Sequence, residues 1–237
     1  MTSLSARDRL IVALDLPSIE EALALTRRIG DACRFYKIGH QLLFTGGERL
    51  ARELIAAGNK IFIDAKLLDI EETVAKGTAS IASLGATFLT VHAYPHAMAA
   101  ARRGAGSSGL QILGVTVMTN LNDGDLDQIG YALDVRRLVE RRVRQALEAG
   151  IAGVVASAAE APMIRALAGE RLLIVTPGIR RAEDAAHDQK RVLCPREAIR
   201  SGSDYLVVGR PILAAADPRG AAQGFQDEIA HALEHRP

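Results

Sequence analysis

The stretch Ile61–Thr73, which reads IFIDAKLLDIEET, decides how this chain folds and where its chemistry lies. It begins with three consecutive apolar residues, a run typical of a strand that is buried on both faces of a parallel sheet. Asp64, Lys66 and Asp69 follow at the end of that run. Charges beside a core cost free energy unless they are paired. We therefore expect partners for these charges elsewhere in the chain, and a functional reason for placing them here.

The unit that contains this stretch, an apolar strand followed by a helix, recurs eight times along the chain. The predicted strands are Leu10–Leu14, Phe35–Ile38, Lys60–Ile63, Thr87–Val91, Leu110–Val117, Ile151–Val155, Leu172–Thr176 and Tyr205–Val208. The predicted helices are Ile19–Ile29, Gly47–Ala57, Glu71–Ser83, Ala97–Arg103, Val135–Ala149, Ala161–Leu167, Arg196–Ser201 and Gly220–Glu234. This alternation predicts an α/β protein, a single (β/α)8 TIM barrel that forms one domain over residues 1–237.

The composition excludes several classes of partner. The chain has 29 Lys and Arg against 28 Asp and Glu, so a net charge of +1 offers no electrostatic reason to expect nucleic acid or a membrane surface. No stretch reaches the roughly 18 apolar residues of a membrane span. The two cysteines, Cys33 and Cys194, lie far apart and in no metal-ligand spacing. These features predict a cytoplasmic protein that binds neither nucleic acid, membrane nor metal.

Polar residues follow most of the predicted strands, and the carboxyl ends of barrel strands open onto one mouth. The residues expected at this mouth are Asp15, Lys37, Asp64, Lys66, His92, Thr119, Ser157, Pro177, Gly178, Gly209 and Arg210. Asp64 and Lys66 are two residues apart, so strand alternation predicts that both point to the same side. Together with Lys37 they form a charge network that can shift pKa values and position a proton donor.

The ends of the seventh and eighth strands have the composition of a phosphate site, which is common at this place in barrels. Gly178 and Gly209 allow a ligand to approach backbone amides closely, and Arg180 and Arg210 add charged donors. Gln189 lies in the long loop after Gly178 and is expected to close over the same group. The phosphate site therefore predicts a phosphorylated small-molecule substrate.

Two predicted loops, Asn120–Ala132 and Gly178–Val192, are longer than the connections usual in such units. Loops that follow strands face the mouth of a barrel and carry much of its function. We therefore expect both loops to cover the substrate.

The pattern Asp64-x-Lys66-x-x-Asp69-Ile70-x-x-Thr73 resembles the signature of the orotidine 5′-phosphate decarboxylase family. The further segments that resemble this family are Asp15, Lys37 in YKIG, Thr119 in VTVMTN, TPGIR at Thr176–Arg180, Asp188-Gln189 and VVGRPI at Val207–Ile212. The likeness runs from about Leu10 to Ile212, with the motifs in the order of the family.

The resemblance implies decarboxylation of orotidine 5′-monophosphate to UMP and CO2, the last step of de novo pyrimidine synthesis, without metal or organic cofactor. It implies that Lys66 donates the proton to C6 within a catalytic array of Lys37, Asp64, Lys66 and Asp69. It also implies a homodimer in which Asp69, Ile70 and Thr73 enter the partner's site. The implied substrate contacts are Asp15, Lys37, Asp64, Ile70, Thr73, Thr119, Pro177, Arg180, Gln189, Gly209 and Arg210.

Two places depart from the family pattern. His92–His96 reads HAYPH where many bacterial relatives have His-Ala-Ser-Gly-Gly, which affects the start of the fourth helix. Cys194 stands where threonine is frequent, and we interpret it as a packing substitution.

Structural interpretations of several residues stay open at this point. The charges after Ile63 are also compatible with an ion network at a barrel rim. Asp15 is also compatible with a cap for the helix after Pro17. His92 is better interpreted as a rim residue than as a catalyst, since a proton donor is already present. The arginine-rich run 136–144 is better interpreted as a solvated helix face than as a polyanion site.

Two rival functions also stay open. A metal-dependent sugar-phosphate lyase or epimerase on a related barrel can share Asp-x-Lys-x-x-Asp, but such relatives place an acidic metal ligand at the end of the second strand, where this chain has Lys37. A non-catalytic sensor of a phosphorylated ligand predicts a damaged charge array, whereas Lys37, Asp64, Lys66 and Asp69 are all present.

Overall fold

The computed structural model describes residues 5–181 and 193–234. Its strands are β1 (Leu10–Ala13), β2 (Phe35–Ile38), β3 (Lys60–Leu67), β4 (Phe88–His92), β5 (Gln111–Val115), β6 (Gly153–Val155), β7 (Leu173–Pro177) and β8 (Tyr205–Val208). Each strand pairs in parallel with the next, and β8 pairs with β1 to close the sheet. The predicted (β/α)8 barrel is confirmed.

Helices surround the sheet and connect its strands. Those of the described residues are α1 (Ala6–Arg9), α2 (Ile19–Ile29), α3 (His40–Leu43), α4 (Gly47–Ala56), α5 (Glu71–Ser83), α6 (Pro95–Ala105), α7 (Asp123–Gln128), α8 (Val135–Ala149), α9 (Ala161–Ala168), α10 (Pro195–Arg200), α11 (Arg210–Leu213) and α12 (Pro218–Glu234). Local signals define their starts. Ser18 caps α2 by accepting from the Glu21 amide at 3.2 Å, and Asp134 caps α8 through the Arg137 amide at 2.7 Å.

The core has two parts because successive strand residues face opposite sides of the sheet. The larger part lies between the strands and the helices. The smaller part fills the barrel interior with Ile11, Ala13, Phe35, Phe62, Phe88, Leu113, Val175, Tyr205 and Val207. Phe88 lies 5.1 Å from both Phe35 and Tyr205 between ring centroids. Phe35, Phe88 and Tyr205 are the first residues of β2, β4 and β8, so these rings fill the amino end of the barrel.

Several element boundaries differ from the sequence predictions. β3 continues to Leu67, four residues past its predicted end, and its register with β4 shifts between Ile63 and Leu67. The predicted loop Asn120–Ala132 contains α7, whose start is held by a capping box between Asn122 and Asp125. The second long loop, Gly178–Val192, lies largely outside the described residues.

Cys194 has a role that the sequence interpretation missed. Its Sγ accepts from the Glu197 amide at 3.5 Å and caps α10, while the Glu197 carboxylate accepts from the Cys194 amide at 3.1 Å. The interpretation of Cys194 as a packing substitution was therefore wrong. In the part of the chain that the structure describes, no helix is both long and apolar enough to cross a membrane.

Candidate active site

Two adjoining cavities open at the carboxyl ends of the strands. The inner cavity, about 200 Å³, is lined by Lys37, Phe62, Asp64, Lys66, Val115, Val117, Met118, Thr119, Asn120, Val155, Pro177 and Val207. The outer cavity, about 650 Å³, is lined by Ala13, Asp15, Lys37, Gly39, His40, Gln41, Asp64, Lys66, Pro177, Gly178, Arg180, Val207, Gly209, Arg210 and Leu213. Because the two share five residues, Asp64 and both lysines among them, we treat them as one site with two compartments.

A chain of charges with alternating sign crosses the boundary between the compartments. Lys37 Nζ lies 2.9 Å from Asp15 Oδ1 and 3.5 Å from Asp64 Oδ2. Lys66 Nζ lies 2.9 Å from each oxygen of Asp64. The side chain of Asp64 is 14% exposed and that of Lys66 is 29% exposed. The charges at the end of β3 are thus paired. This pairing offsets the desolvation free energy that a partly buried charge costs.

The pKa of the Asp64 carboxyl lies below its ordinary value. Burial alone raises this pKa, but the positive charges of Lys37 and Lys66 and the hydrogen bonds from Lys66 and Thr90 outweigh that effect. Thr90 Oγ1 donates to Asp64 Oδ1 at 2.8 Å from the neighbouring strand β4. Asp64 is therefore a carboxylate between two ammonium groups.

Lys66 has an unusual backbone conformation. Its φ of 48° is the only positive value among the described non-glycine residues. A non-glycine residue in the left-handed region costs on the order of 1–3 kcal/mol and persists only where its surroundings hold it. Here the Lys66 amide donates to Thr90 Oγ1 at 3.0 Å. The side chains of Asp64 and Lys66 lie together, as strand alternation predicted, although the end of β3 that carries them is irregular.

Gly39, in the segment YKIG, keeps space for the first ion pair. A Cβ at this position would lie 2.9 Å from Lys37 Nζ and 3.1 Å from Asp15 Oδ1. Any larger residue would therefore push the ammonium or the carboxylate out of place. Asp15 does not cap the following helix, since Ser18 does so, and the cap interpretation of Asp15 was wrong.

The outer compartment ends on the predicted phosphate residues. Pro177 is the last residue of β7, Gly178 and Arg180 come after it, and Gly209 and Arg210 follow β8. Gly178 has a φ of 79°, a conformation that glycine adopts without strain. Arg180 is 5% exposed, and its Nη1 donates to the Ile179 carbonyl at 3.0 Å. Two guanidinium groups thus line the end of the site. Gln189 lies outside the described residues.

The inner compartment is a slot with apolar walls. Its apolar lining consists of Phe62 and of valines 115, 117, 155 and 207. Thr119 and Asn120 add polar groups at its rim. Such a slot accepts a flat ring whose polar edges face the rim and the ammonium groups.

Other predicted residues lie away from both cavities. Asp69, Ile70 and Thr73 line neither compartment; Asp69 Oδ1 accepts from the Ile70 amide at 2.6 Å, and Ile70 is 72% exposed. Ser157 was expected at the mouth, but it is buried and its amide donates to Glu160 Oε2 at 3.0 Å.

His92 also lies outside the two cavities. Its burial, together with the positive charges of Arg142 and Lys66, lowers its pKa. A neutral histidine is therefore favoured at this position near neutral pH.

The residues at the site that were not predicted from the sequence include Gly39, His40, Gln41 and Thr90. Gly39 follows Lys37 in a recognised motif, so its small size was a readable signal. His40 Nε2 lies 3.0 Å from the Ala65 carbonyl and ties α3 to the end of β3. Thr90 gave no signal, because a threonine inside a strand is commonplace.

The interpretation of the arginine-rich run 136–144 as a solvated face was wrong for one residue. Arg136, Arg137, Arg141 and Arg144 are exposed, but Arg142 is buried. Its guanidinium lies against the rings of Tyr94 and Tyr131. Among residues 5–181 and 193–234, no three His, Cys, Asp or Glu side chains are grouped so that they could hold a metal ion.

Comparisons with known proteins agree with this geometry. Residues 8–225 match the model of the "Orotidine 5'-phosphate decarboxylase / HUMPS family". The chain is 57% identical over 224 residues to a protein of Rhodopseudomonas palustris strain BisA53 named orotidine 5'-phosphate decarboxylase, covering 94% of this chain and 95% of that protein. It is also 57% identical to a protein of the same name from Methylobacterium radiotolerans, and that match covers 94% of this chain and 97% of the other protein.

A solved structure has the same fold. The crystal structure of orotidine 5'-phosphate decarboxylase from Lactobacillus acidophilus superposes with a TM-score of 0.83 at 34% identity, and the match covers 93% of this chain and 98% of that one.

Proposed function

Because this chain belongs to the orotidine 5'-phosphate decarboxylase / HUMPS family, we propose that it converts orotidine 5′-monophosphate to UMP and CO2. One observation carries the proposal beyond the family: the alternating array of Asp15, Lys37, Asp64 and Lys66 at the border of an apolar slot and an arginine-lined cavity. The slot suits the pyrimidine and the arginines suit the phosphate, with the charges between them.

In this proposal the two compartments divide the substrate. The phosphate lies at Arg180, Gly209 and Arg210, where guanidinium groups and backbone amides can donate to its oxygens. Gln189 is expected to reach the same group. The ribose hydroxyls lie at Asp15 and Lys37, and the pyrimidine contacts Thr119 and Pro177. Binding at the phosphate, remote from C6, supplies free energy that orients the reacting ring.

Loss of CO2 from an sp2 ring carbon leaves an electron pair at C6 with little resonance stabilisation. Enzymes lower barriers by about 8–23 kcal/mol, and this reaction requires the upper part of that range. Lys66 is a cation that a bulged strand end holds at the slot, so it can stabilise the developing charge without reorganisation. It then transfers a proton from its ammonium to C6, which becomes C–H as CO2 leaves.

Asp64 and Lys37 keep this donor in place. The Asp64 carboxylate accepts from Lys66 and lies beside Lys37, so it holds the two lysine side chains close to one another. Because the pKa of Asp64 is lowered, its carboxylate keeps its charge to a lower pH than an ordinary aspartate does. No metal ion or organic cofactor takes part in the proposed reaction.

We further propose that the enzyme acts as a homodimer. Leu68 and Ile70 follow β3, and Phe44 directly follows α3, the helix after the neighbouring strand β2. All three are exposed, Phe44 to 87% and Ile70 to 72%. Exposed apolar residues beside a site are typical of a surface that a partner covers. Asp69, Ile70 and Thr73 would then reach the site of the second subunit, with Asp69 continuing the charge alternation.

The test of the function is an ultraviolet assay that follows the loss of orotidylate absorbance. We expect turnover by the wild-type chain, unchanged by EDTA, and almost none by Lys66→Ala, which should still bind UMP. A Lys66→Ala variant with near-normal kcat would refute the role of the proton donor. Turnover of a sugar phosphate that EDTA abolishes, with no loss of orotidylate absorbance, would instead favour a metal-dependent sugar-phosphate enzyme. UMP binding without turnover would favour a sensor.

The cytoplasmic location also stays a proposal. It is supported by Cys33 and Cys194, which are both free thiols. Fractionation of cells that express the chain would test it.

A further inference from the structure

Arg142 differs from the other arginines of α8 because it is buried, at 8% exposure. Its Nη1 donates to the Thr116 carbonyl, and its Nη2 donates to the Tyr131 hydroxyl at 2.8 Å. The guanidinium carbon lies 5.0 Å from the ring centroid of Tyr94 and 5.4 Å from that of Tyr131. The two tyrosine hydroxyls lie 2.5 Å apart. We call Arg142, Tyr94 and Tyr131 the arginine clasp.

The clasp holds both ends of one segment. Residues 116–131, which we call the wall segment, leave the barrel after β5, pass through α7 and return at Tyr131. One guanidinium binds Thr116 at the start of this segment and Tyr131 at its end. Between these two points the segment contains α7, whose Leu126 is buried, so fixing both ends fixes how this helix sits beside the barrel.

The start of the wall segment is part of the inner cavity. Val115 and Val117 line the slot on either side of Thr116, and Met118, Thr119 and Asn120 follow as further lining residues. Thr116 itself points away, and its Oγ1 donates to the Val155 carbonyl at 3.0 Å. The Thr116 carbonyl that Arg142 binds therefore lies within the backbone that sets the width of the slot.

We propose that the arginine clasp is a positioning unit that fixes the pyrimidine side of the site and so determines affinity for the nucleobase. The proposal rests on the proposed function, because it takes the ligand of the inner cavity to be a pyrimidine nucleotide. The clasp touches neither cavity. It acts through the backbone at Thr116 and through Tyr131, and not on the phosphate end of the site.

Arginine is needed at this place for a geometric reason. Its planar group donates in two directions while both of its faces can lie against aromatic rings. A lysine keeps the positive charge but has one ammonium, which cannot bind Thr116 and Tyr131 in the same plane. Arg142→Lys therefore removes the clasp and keeps the charge.

The chain offers a matched control in Arg165. This arginine is also largely buried and also ties backbone together, donating to the Gly169 carbonyl at 2.7 Å, the Gly202 carbonyl at 2.7 Å and Asp204 at 2.8 Å. Asp204 precedes β8, so these contacts lie at the opposite end of the barrel. Arg165→Lys should lower the melting temperature without affecting the slot.

The experiment compares the two variants by calorimetric binding of UMP and of ribose 5-phosphate, which lacks the base. We expect Arg142→Lys to weaken UMP about tenfold while ribose 5-phosphate changes less than twofold, since a modest shift of a wall removes contacts to the ring alone. Arg165→Lys should leave the ratio of the two affinities at the wild-type value. In turnover, KM for orotidylate should rise more than kcat falls.

Hydrogen exchange in the ligand-free protein separates the clasp from the function. We expect faster exchange over residues 116–131 in Arg142→Lys and not in Arg165→Lys. Tyr131→Phe, which keeps the ring but loses the hydroxyl, should give an intermediate effect, and it decides the matter if Arg142→Lys does not fold. Unchanged exchange with an unchanged affinity ratio would overturn the clasp. A wild-type protein that does not bind UMP would refute both the proposed function and the role of the arginine clasp in base affinity. Hydrogen exchange would still decide whether the clasp positions the wall segment.

Discussion

Replacing Thr90 by valine removes one hydroxyl from the centre of the charge array. Thr90 is fully buried on β4, donates to Asp64 Oδ1 at 2.8 Å and accepts from the Lys66 amide at 3.0 Å. Valine has nearly the same shape, so the change deletes two hydrogen bonds and leaves the packing almost intact. The carboxylate loses one donor, and the amide of a strained residue loses its acceptor.

The magnitude follows from these two losses. A hydrogen bond to a charged group contributes about 1.5–3 kcal/mol, and a buried amide without a partner costs about 1–3 kcal/mol. Burying a methyl group in place of the hydroxyl offsets part of this loss of stability, because a methyl group needs no hydrogen bond. We expect the free energy of unfolding to fall by about 2–3 kcal/mol, which lowers the melting temperature of a chain of this size by roughly 5–10 °C. Because Lys66 loses its anchor, kcat should fall about tenfold or more.

Urea unfolding and the orotidylate absorbance assay measure the two effects. Thr78→Val is the matched control, because Thr78 is equally buried on α5 but its hydroxyl has no hydrogen-bond partner among the described residues. That variant should be neutral or stabilised. Thr90→Ser should keep most of the stability, since it keeps the hydroxyl. If Thr90→Val and Thr78→Val unfold with the same free energy, Thr90 does not support the array as we argue.

Three further predictions concern the same array. In Gly39→Ala the added methyl group lies 2.9 Å from Lys37 Nζ, and the lysine side chain can move away from it. The free energy of unfolding should therefore change by less than about 1 kcal/mol, while kcat/KM falls about tenfold. Wild-type turnover by this variant would contradict the prediction. Because the pKa of Asp64 is lower in the folded chain than its unfolded value of about 3.9, Asp64 stabilises the fold at pH values above about 3.9, and this stabilisation is lost as the pH falls below about 3.9. Asp64→Asn should therefore reduce the slope of the unfolding free energy against pH in the acidic range. An unaltered slope would exclude the effect. Mixed Lys66→Ala and Asp69→Ala chains should regain one intact site per heterodimer, and no recovery of turnover after verified subunit exchange would refute the shared site.

Some residues of the site could be located from the sequence because their signals are local. Lys37 lies inside a short apolar run, and Asp64 and Lys66 come after one. Parallel strands bring the carboxyl ends of such runs together whatever their separation along the chain. Gly178 and Arg180 were found in the same way at the end of β7. Their roles in binding and catalysis stay predictions.

Other features could not be found because they depend on contacts between distant residues. Thr90 is 26 residues from Asp64, and only the register of β3 with β4 brings them within 2.8 Å. Arg142 follows the same charge pattern as its exposed neighbours on α8, yet it faces inward to Tyr131. Helical spacing places Arg142 on the same face as Leu138 and Val139, but the sequence does not show that Tyr94 and Tyr131 pack against its guanidinium.

The sequence by itself determined the barrel, the order of its strands and the end at which the charges collect, because periodicity and strand ends are properties of neighbouring residues. Only the tertiary structure decided how the charges at Asp64 and Lys66 are held. The shift in register after Ile63 and the positive φ of Lys66 arise where β3 must pair with β4 while its end turns into the site. That conformation is costly for an isolated chain, and it is stable here because Thr90, from the next strand, binds both the strained amide and the carboxylate.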